Sequence, residues 1–238
     1  MEYAFENIPL LREFLYQRQQ EKQEVSICAL GGGPGTELLG LGKHLEKLFP
    51  FKKTQLNLEF SLVDSVPEWV DSWRGFKNEI KERFESRYGK RESWPFLISN
   101  EFYEINVSNT INFANLGNCF GQDLHIMSYF VSELFEIVDD LFTFFKKMTS
   151  VARPGSKFLF IERNQDTWKN AIQEIIEKSG ISPIDFYSIE ESEGRLWGPD
   201  EEQTEDLGPI FGEIGRNPKL KWNAFFRVGE KPDLKEIL

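Results

Sequence analysis

The chain has 238 residues (27.8 kDa), of which 40% are hydrophobic and 14% aromatic, with 22 phenylalanines. That is ample for a core and excludes a chain disordered throughout. No run of about 18 uninterrupted apolar residues exists, which excludes a membrane-spanning helix. Two cysteines and two histidines are too few for a disulfide framework or a structural zinc site. The start, Met1-Glu2-Tyr3-Ala4-Phe5-Glu6, lacks the basic and apolar runs of a secretory signal. A soluble, cytoplasmic chain with no metal and no membrane partner is expected.

The net charge of −11 is uneven. Residues 190–206 hold eight acids against Arg195 alone, a local −7 that leaves −4 for the rest. Between Arg74 and Arg91, seven cations outweigh Glu79, Glu82 and Glu85. Global acidity argues against autonomous, non-specific nucleic-acid binding, though not against a local phosphate-facing patch. A solvated helix face with opposite charges one turn apart is the favoured reading of the basic segment.

Phe5, Ile8, Leu11 and Leu15 recur at helical spacing over residues 3–18, so residues 1–24 read as a helical cap on a domain spanning 25–238. Val25–Leu30 is a short apolar run ending in glycines, a buried strand. Thr36 opens a helix that ends near Pro50, and Leu56–Val63 is a second strand ending at Asp64. A helix over Glu68–Tyr88 follows Pro67. Phe96–Val107 contains a third strand and Asp123–Met127 a fourth, followed by an apolar helix from Val131 to about Met148. Lys157–Glu162 is a strand, and Thr167–Lys178 a helix closed by Gly180. Ile184–Ile189 and Trp222–Val228 are the last strands, separated by an acidic insertion at about 190–218. Alternating strands and helices predict a doubly wound α/β fold with a mostly parallel, seven-stranded sheet. No convincing helix joins the last two strands, so the final one is expected to be antiparallel.

The sharpest motif is Leu30-Gly31-Gly32-Gly33-Pro34-Gly35-Thr36-Glu37, between the first strand and its helix. Glycines there let backbone approach a ligand, and the helix start offers unpaired N–H groups at the switch point of the sheet. A dinucleotide fingerprint needs a small residue where Thr36 stands, which disfavours a nicotinamide oxidoreductase. A Walker loop needs a lysine that does not follow Gly35. What remains is Gly-x-Gly-x-Gly, with Asp64 at a strand end where a carboxylate accepts both hydroxyls of a ribose.

These features, with the run Asp123–Leu134 and Arg153-Pro154-Gly155 before the fifth strand, resemble the class I S-adenosylmethionine-dependent methyltransferases over nearly all of residues 25–238. Leu30–Glu37 and Asp64–Trp73 are similar to a branch that includes fungal ribosomal-RNA uridine methyltransferases, and the fourth-strand run is similar to mitochondrial ribosome-associated methyltransferase-like proteins. The resemblance implies S-adenosyl-L-methionine as cofactor, with Gly31, Gly33 and Gly35 beneath its methionine part and Asp64 on the ribose. Asn106 and Val107 would edge the adenine, and Ser128 and Tyr129 would face the methyl group and acceptor. The acid usual two residues before the first glycine is Ala29 here, and Glu37 is the candidate replacement.

Methyl transfer chiefly needs alignment and exclusion of water, so the acceptor is hard to read from residues. An RNA base is favoured by the family likeness, with a small molecule or protein open. The rival reading is a cofactor-binding or ribosome-associated assembly module without catalysis. His125 and Cys119 read as packed core residues, and Trp69 and Trp73 as support behind the adenosine site. Trp197, with Phe211, is a candidate substrate-facing lid within the insertion.

Overall fold

A computed structural model describes residues 8–21, 24–33, 35–48, 56–90, 94, 96–107, 117–189 and 224–233. In chain order the elements are α1 (Pro9–Glu21), β1 (Glu24–Leu30), α2 (Thr36–Leu48), β2 (Leu56–Asp64), α3 (Trp69–Tyr88), β3 (Phe96–Glu104) and α4 (Gly117–Phe120). There follow β4 (Leu124–Ser128), α5 (Phe130–Glu133), α6 (Val138–Val151), β5 (Lys157–Arg163), α7 (Asp166–Ser179), β6 (Ser182–Ile189) and β7 (Ala224–Glu230). The strands form one seven-stranded sheet in the order β3-β2-β1-β4-β5-β7-β6. The first five are parallel, and β7 runs antiparallel between β5 and β6. The expected doubly wound sheet and antiparallel last strand are both present.

The alternation within each strand divides the core between the two sheet faces. Val25, Ile27 and Ala29 of β1 pack with Leu11 and Leu15 of α1 and with Leu38 and Leu41 of α2. Cys28 and Leu30 point the other way, into a cluster with Phe144 and Phe145 of α6 and Ile172 and Ile175 of α7. Helices therefore cover both faces, which is why the central strands read as almost continuous apolar runs. Aromatic edges fill the second face: the Phe120 and Phe144 ring centroids lie 5.6 Å apart at 90°, and those of Phe144 and Phe145 5.5 Å apart at 84°.

His125 belongs to this face. It is fully buried, stacked 4.7 Å from Phe158, and its Nε2 donates to the Phe120 carbonyl at 3.0 Å. Burial lowers its pKa from 6.5 to about 4, so it stays neutral in the folded chain. The unfolded chain takes up this proton below 6.5. Stability is therefore complete above that pH and falls as pH drops towards 4, by about 3 kcal/mol in all. Urea unfolding of a His125→Phe variant should show a shallower loss between pH 7 and 4.5 than the parent chain.

The last strand runs to Glu230 rather than Val228, a short helix at Gly117–Phe120 was not expected, and two further differences have local causes. The helix expected over Val131–Met148 is broken into α5, a 3-10 turn at Phe135–Ile137, and α6. Tight bonds from Leu134 N–H to the Val131 carbonyl (3.3 Å) and from Ile137 N–H to the Leu134 carbonyl (3.0 Å) make the break. Strand β6 begins at Ser182, with Pro183 beside a register irregularity, which an edge strand accommodates.

Candidate functional site

The strand order reverses between β1 and β4, so the crevice at their carboxyl ends is the switch point of the sheet. The glycine loop leaves β1 at this point. Gly31, Gly33 and Gly35 all have positive φ (63°, 48° and 92°), a conformation that side chains penalise. Their surroundings differ. A Cβ on Gly31 would lie 2.7 Å from the Phe130 ring, and one on Gly35 2.4 Å from the Trp73 ring. Gly32 is closed in the same way, by Leu62 at 2.3 Å. These three are small because the protein's own side chains fill the space behind the loop. At Gly33 the nearest atoms belong to Trp69, at 3.8 Å, an ordinary contact distance. Gly33 is thus the loop glycine at which a Cβ would meet only ordinary contact, with the Trp69 ring.

Asp64, at the end of β2, faces this loop. Its Oδ2 accepts the Gly33 N–H and its Oδ1 the Val66 N–H, each at 3.0 Å. The carboxylate ties the loop to the turn entering α3, and each oxygen keeps a lone pair for a further donor. Glu37 is buried in the first turn of α2, with Oε2 3.4 Å from where a Gly32 Cβ would stand. It lies under the loop, while Ala29 is wholly within the core. Trp69 opens α3 half-buried against Gly33, and Trp73 packs one turn on against Gly35 and Phe60.

After β3, Val107 is buried in the cluster that holds Leu30, Val63 and Phe130, so it reaches the carboxyl ends of β1 and β2. Asn106 beside it is exposed. Ser128 is the last residue of β4, and Tyr129 follows at φ 57°, ψ 13°, the one non-glycine residue with positive φ among those described. Such a conformation costs on the order of 1–2 kcal/mol and persists where surroundings over-determine it. Here the Tyr129 N–H donates to the Ile161 carbonyl (2.8 Å), and its own carbonyl accepts the Ser132 hydroxyl (3.0 Å). Burial and the nearby Glu162 raise the phenol's pKa, so it is a neutral donor. Trp197 and the rest of 190–218 lie outside the described residues.

Glu162 is the residue that the sequence reading passed over. It is 1% exposed at the end of β5, one position from the strand pairing of Ile161 with Ser128. Its Oε1 accepts the Ser132 N–H at 3.1 Å, and Oε2 the Arg163 N–H at 3.3 Å. Burial pushes its carboxyl above the ordinary glutamate range, and these donors pull it back. Through Ser132 it holds the backbone that holds Tyr129. The signal lay in the alternation Phe158, Phe160, Glu162, an acid on an inward-facing register. Glu162→Gln preserves the acceptor for Ser132 and should cost under about 1 kcal/mol, whereas Glu162→Ala should cost about 2 kcal/mol in denaturant unfolding.

Cys119 is buried with its thiol pushed up to about 12 by desolvation, and Cys28 is buried beside β4 with its thiol also raised. Neither is a thiolate nucleophile. Among the described residues no group of three His, Cys, Asp or Glu is placed to hold a metal, and no helix is long and apolar enough to cross a membrane.

No protein-family model matches the chain, and no curated protein matches it. Solved structures do. A SAM-dependent methyltransferase from Methanosarcina mazei superposes with a TM-score of 0.55 at 12% identity, over 94% of this chain and 97% of that one. A candidate methyltransferase from Bacillus halodurans superposes at 0.51 and 10% identity, over 93% of this chain and 98% of that one. The chain has the Rossmann-like fold of the class I S-adenosylmethionine-dependent methyltransferases.

Proposed function

We propose that the chain is an S-adenosylmethionine-dependent methyltransferase that binds its cofactor in the crevice between the glycine loop, Asp64 and Tyr129. The observation carrying this reading is the pairing of the glycine loop at the switch point with a strand-end carboxylate that accepts the Gly33 N–H and retains accepting capacity. The residues present fit the cofactor's polar demands. Asp64 would take the ribose hydroxyls, and the start of α2 offers backbone N–H groups to the methionine carboxylate. Glu37 would offset the ammonium group that Ala29 cannot meet. Val107 and Asn106 would border the adenine, and Trp69 would close the side over Gly33. When bound, the cofactor supplies an activated methyl group. This chain's part is to bind, align and exclude water. Ser128 and the strained Tyr129 would face the acceptor, with Glu162 fixing their backbone.

The likeness to ribosomal-RNA uridine methyltransferases makes an RNA base the first acceptor to test, ahead of small molecules and proteins. Turnover with a methyl-labelled donor, against ribosomal RNA, total small-molecule extract and a protein panel, is expected to label one class. Tight donor binding with no labelling of any class favours the rival reading, a cofactor-binding or ribosome-associated module without catalysis.

A further inference from the structure

Four tryptophans are among the described residues, and three of them are tethered. Trp94 donates its indole N–H to the Gly89 carbonyl (3.2 Å), and Trp168 donates to Gln165 Oε1 (3.0 Å). Trp73 is buried, with its ring centroid 5.6 Å from that of Phe60. Trp69 is the exception. It is half-buried at the first residue of α3, and among the described residues its side chain has neither a hydrogen-bond partner nor a ring contact. Its place is nonetheless fixed. Asp64 Oδ1 holds the Val66 N–H, and the Val66 carbonyl accepts the backbone N–H of Trp69 at 3.2 Å, so the strand-end carboxylate sets the turn that carries this residue. One helical turn on, Trp73 fills the space beside Gly35 and fixes the start of α3 against the glycine loop. The Trp69 Nε1 consequently stands 4.0 Å from where a Gly33 Cβ would be, and the Gly33 N–H itself donates to Asp64 Oδ2. A donor without an acceptor lies beside a carboxylate that can accept more than it does.

We infer that Trp69 is a cofactor-binding residue whose indole N–H donates to a ribose hydroxyl that in turn donates to Asp64. The inference rests on the crevice reading and deepens it. A hydroxyl both donates and accepts, so a sugar is the chemistry that satisfies a carboxylate and an indole N–H together. A ligand carboxylate at this point would be repelled by Asp64, and an ammonium group would offer Trp69 no acceptor. Packing over Gly33 alone is met equally by phenylalanine, which differs in lacking the donor.

The test is calorimetric and fluorescence titration of the full chain with S-adenosylhomocysteine, comparing the parent with Trp69→Phe and Trp168→Phe. Trp69→Phe keeps an aromatic ring and removes the donor. It should bind roughly fivefold more weakly, the loss of one neutral hydrogen bond, without a shift in its ligand-free thermal unfolding. Tryptophan emission of the parent should change on binding, and that change should be lost in Trp69→Phe and kept in Trp168→Phe. Competition against bound S-adenosylhomocysteine separates a donor from a packing role. Adenosine should lose affinity in Trp69→Phe, whereas 2′,3′-dideoxyadenosine, which lacks the diol, should not. The inference alone is overturned if Asp64→Ala weakens S-adenosylhomocysteine binding but Trp69→Phe retains full affinity, keeps the emission change, or loses both nucleosides equally. Failure of the parent to bind S-adenosylhomocysteine removes the crevice reading and this inference with it.

Discussion

Asp123→Ala is expected to destabilise the chain by about 3 kcal/mol, among the largest single-residue effects available. Asp123 is buried at the amino end of β4, where Oδ2 accepts the Ser26 N–H (3.1 Å) and the Ser26 hydroxyl (2.9 Å). Its Oδ1 faces Arg18 of α1 at 3.1 Å and Arg153 at 3.7 Å. Removing the carboxylate leaves a buried hydroxyl and a partly buried guanidinium without their acceptor and unties α1 from the sheet. Arg153 is 57% exposed, so Arg153→Ala should cost under about 1 kcal/mol. Chemical denaturation of both variants checks the contrast. Equal, small losses would show that the Asp123 cluster does not anchor α1.

The second large effect separates two glycines of one loop. Gly35→Ala would place a methyl 2.4 Å from Trp73 at φ 92°, with overpacking added to backbone strain, and should cost about 3 kcal/mol. Gly33→Ala meets nothing closer than 3.8 Å, so only its φ of 48° is penalised, about 1 kcal/mol. The Gly33 variant should therefore fold, yet bind S-adenosylhomocysteine roughly tenfold more weakly, because strain at this residue would disturb its N–H bond to Asp64 beside the proposed ligand. Thermal denaturation and calorimetry on both variants resolve the two roles. Full binding by Gly33→Ala would remove this glycine from the site.

Much of this was legible before any coordinates. The apolar run Val25–Leu30 is a strand covered on both sheet faces, Leu56–Val63 is a strand read from its alternation, and the missing helix before the last strand correctly implied an antiparallel return. The place of the glycine loop and of Asp64 followed from strand ends alone. What spacing could not supply is the division of labour within the loop. Three glycines look alike in sequence, but Phe130 and Trp73, distant along the chain, reserve two of them for packing. Periodicity also ran through the break between α5 and α6, since a 3-10 turn disturbs the apolar pattern by less than one residue. Glu162 escaped notice because its value lies in a bond to Ser132, thirty residues away in sequence.

Calorimetric titration of the full chain with S-adenosylhomocysteine, alongside NAD, tests the central claim most directly. One saturable site per chain for S-adenosylhomocysteine, weakened in Asp64→Ala and unaffected by NAD, is the predicted result. Binding of NAD in its place, or S-adenosylhomocysteine affinity indifferent to both Asp64 and Gly33, would contradict it.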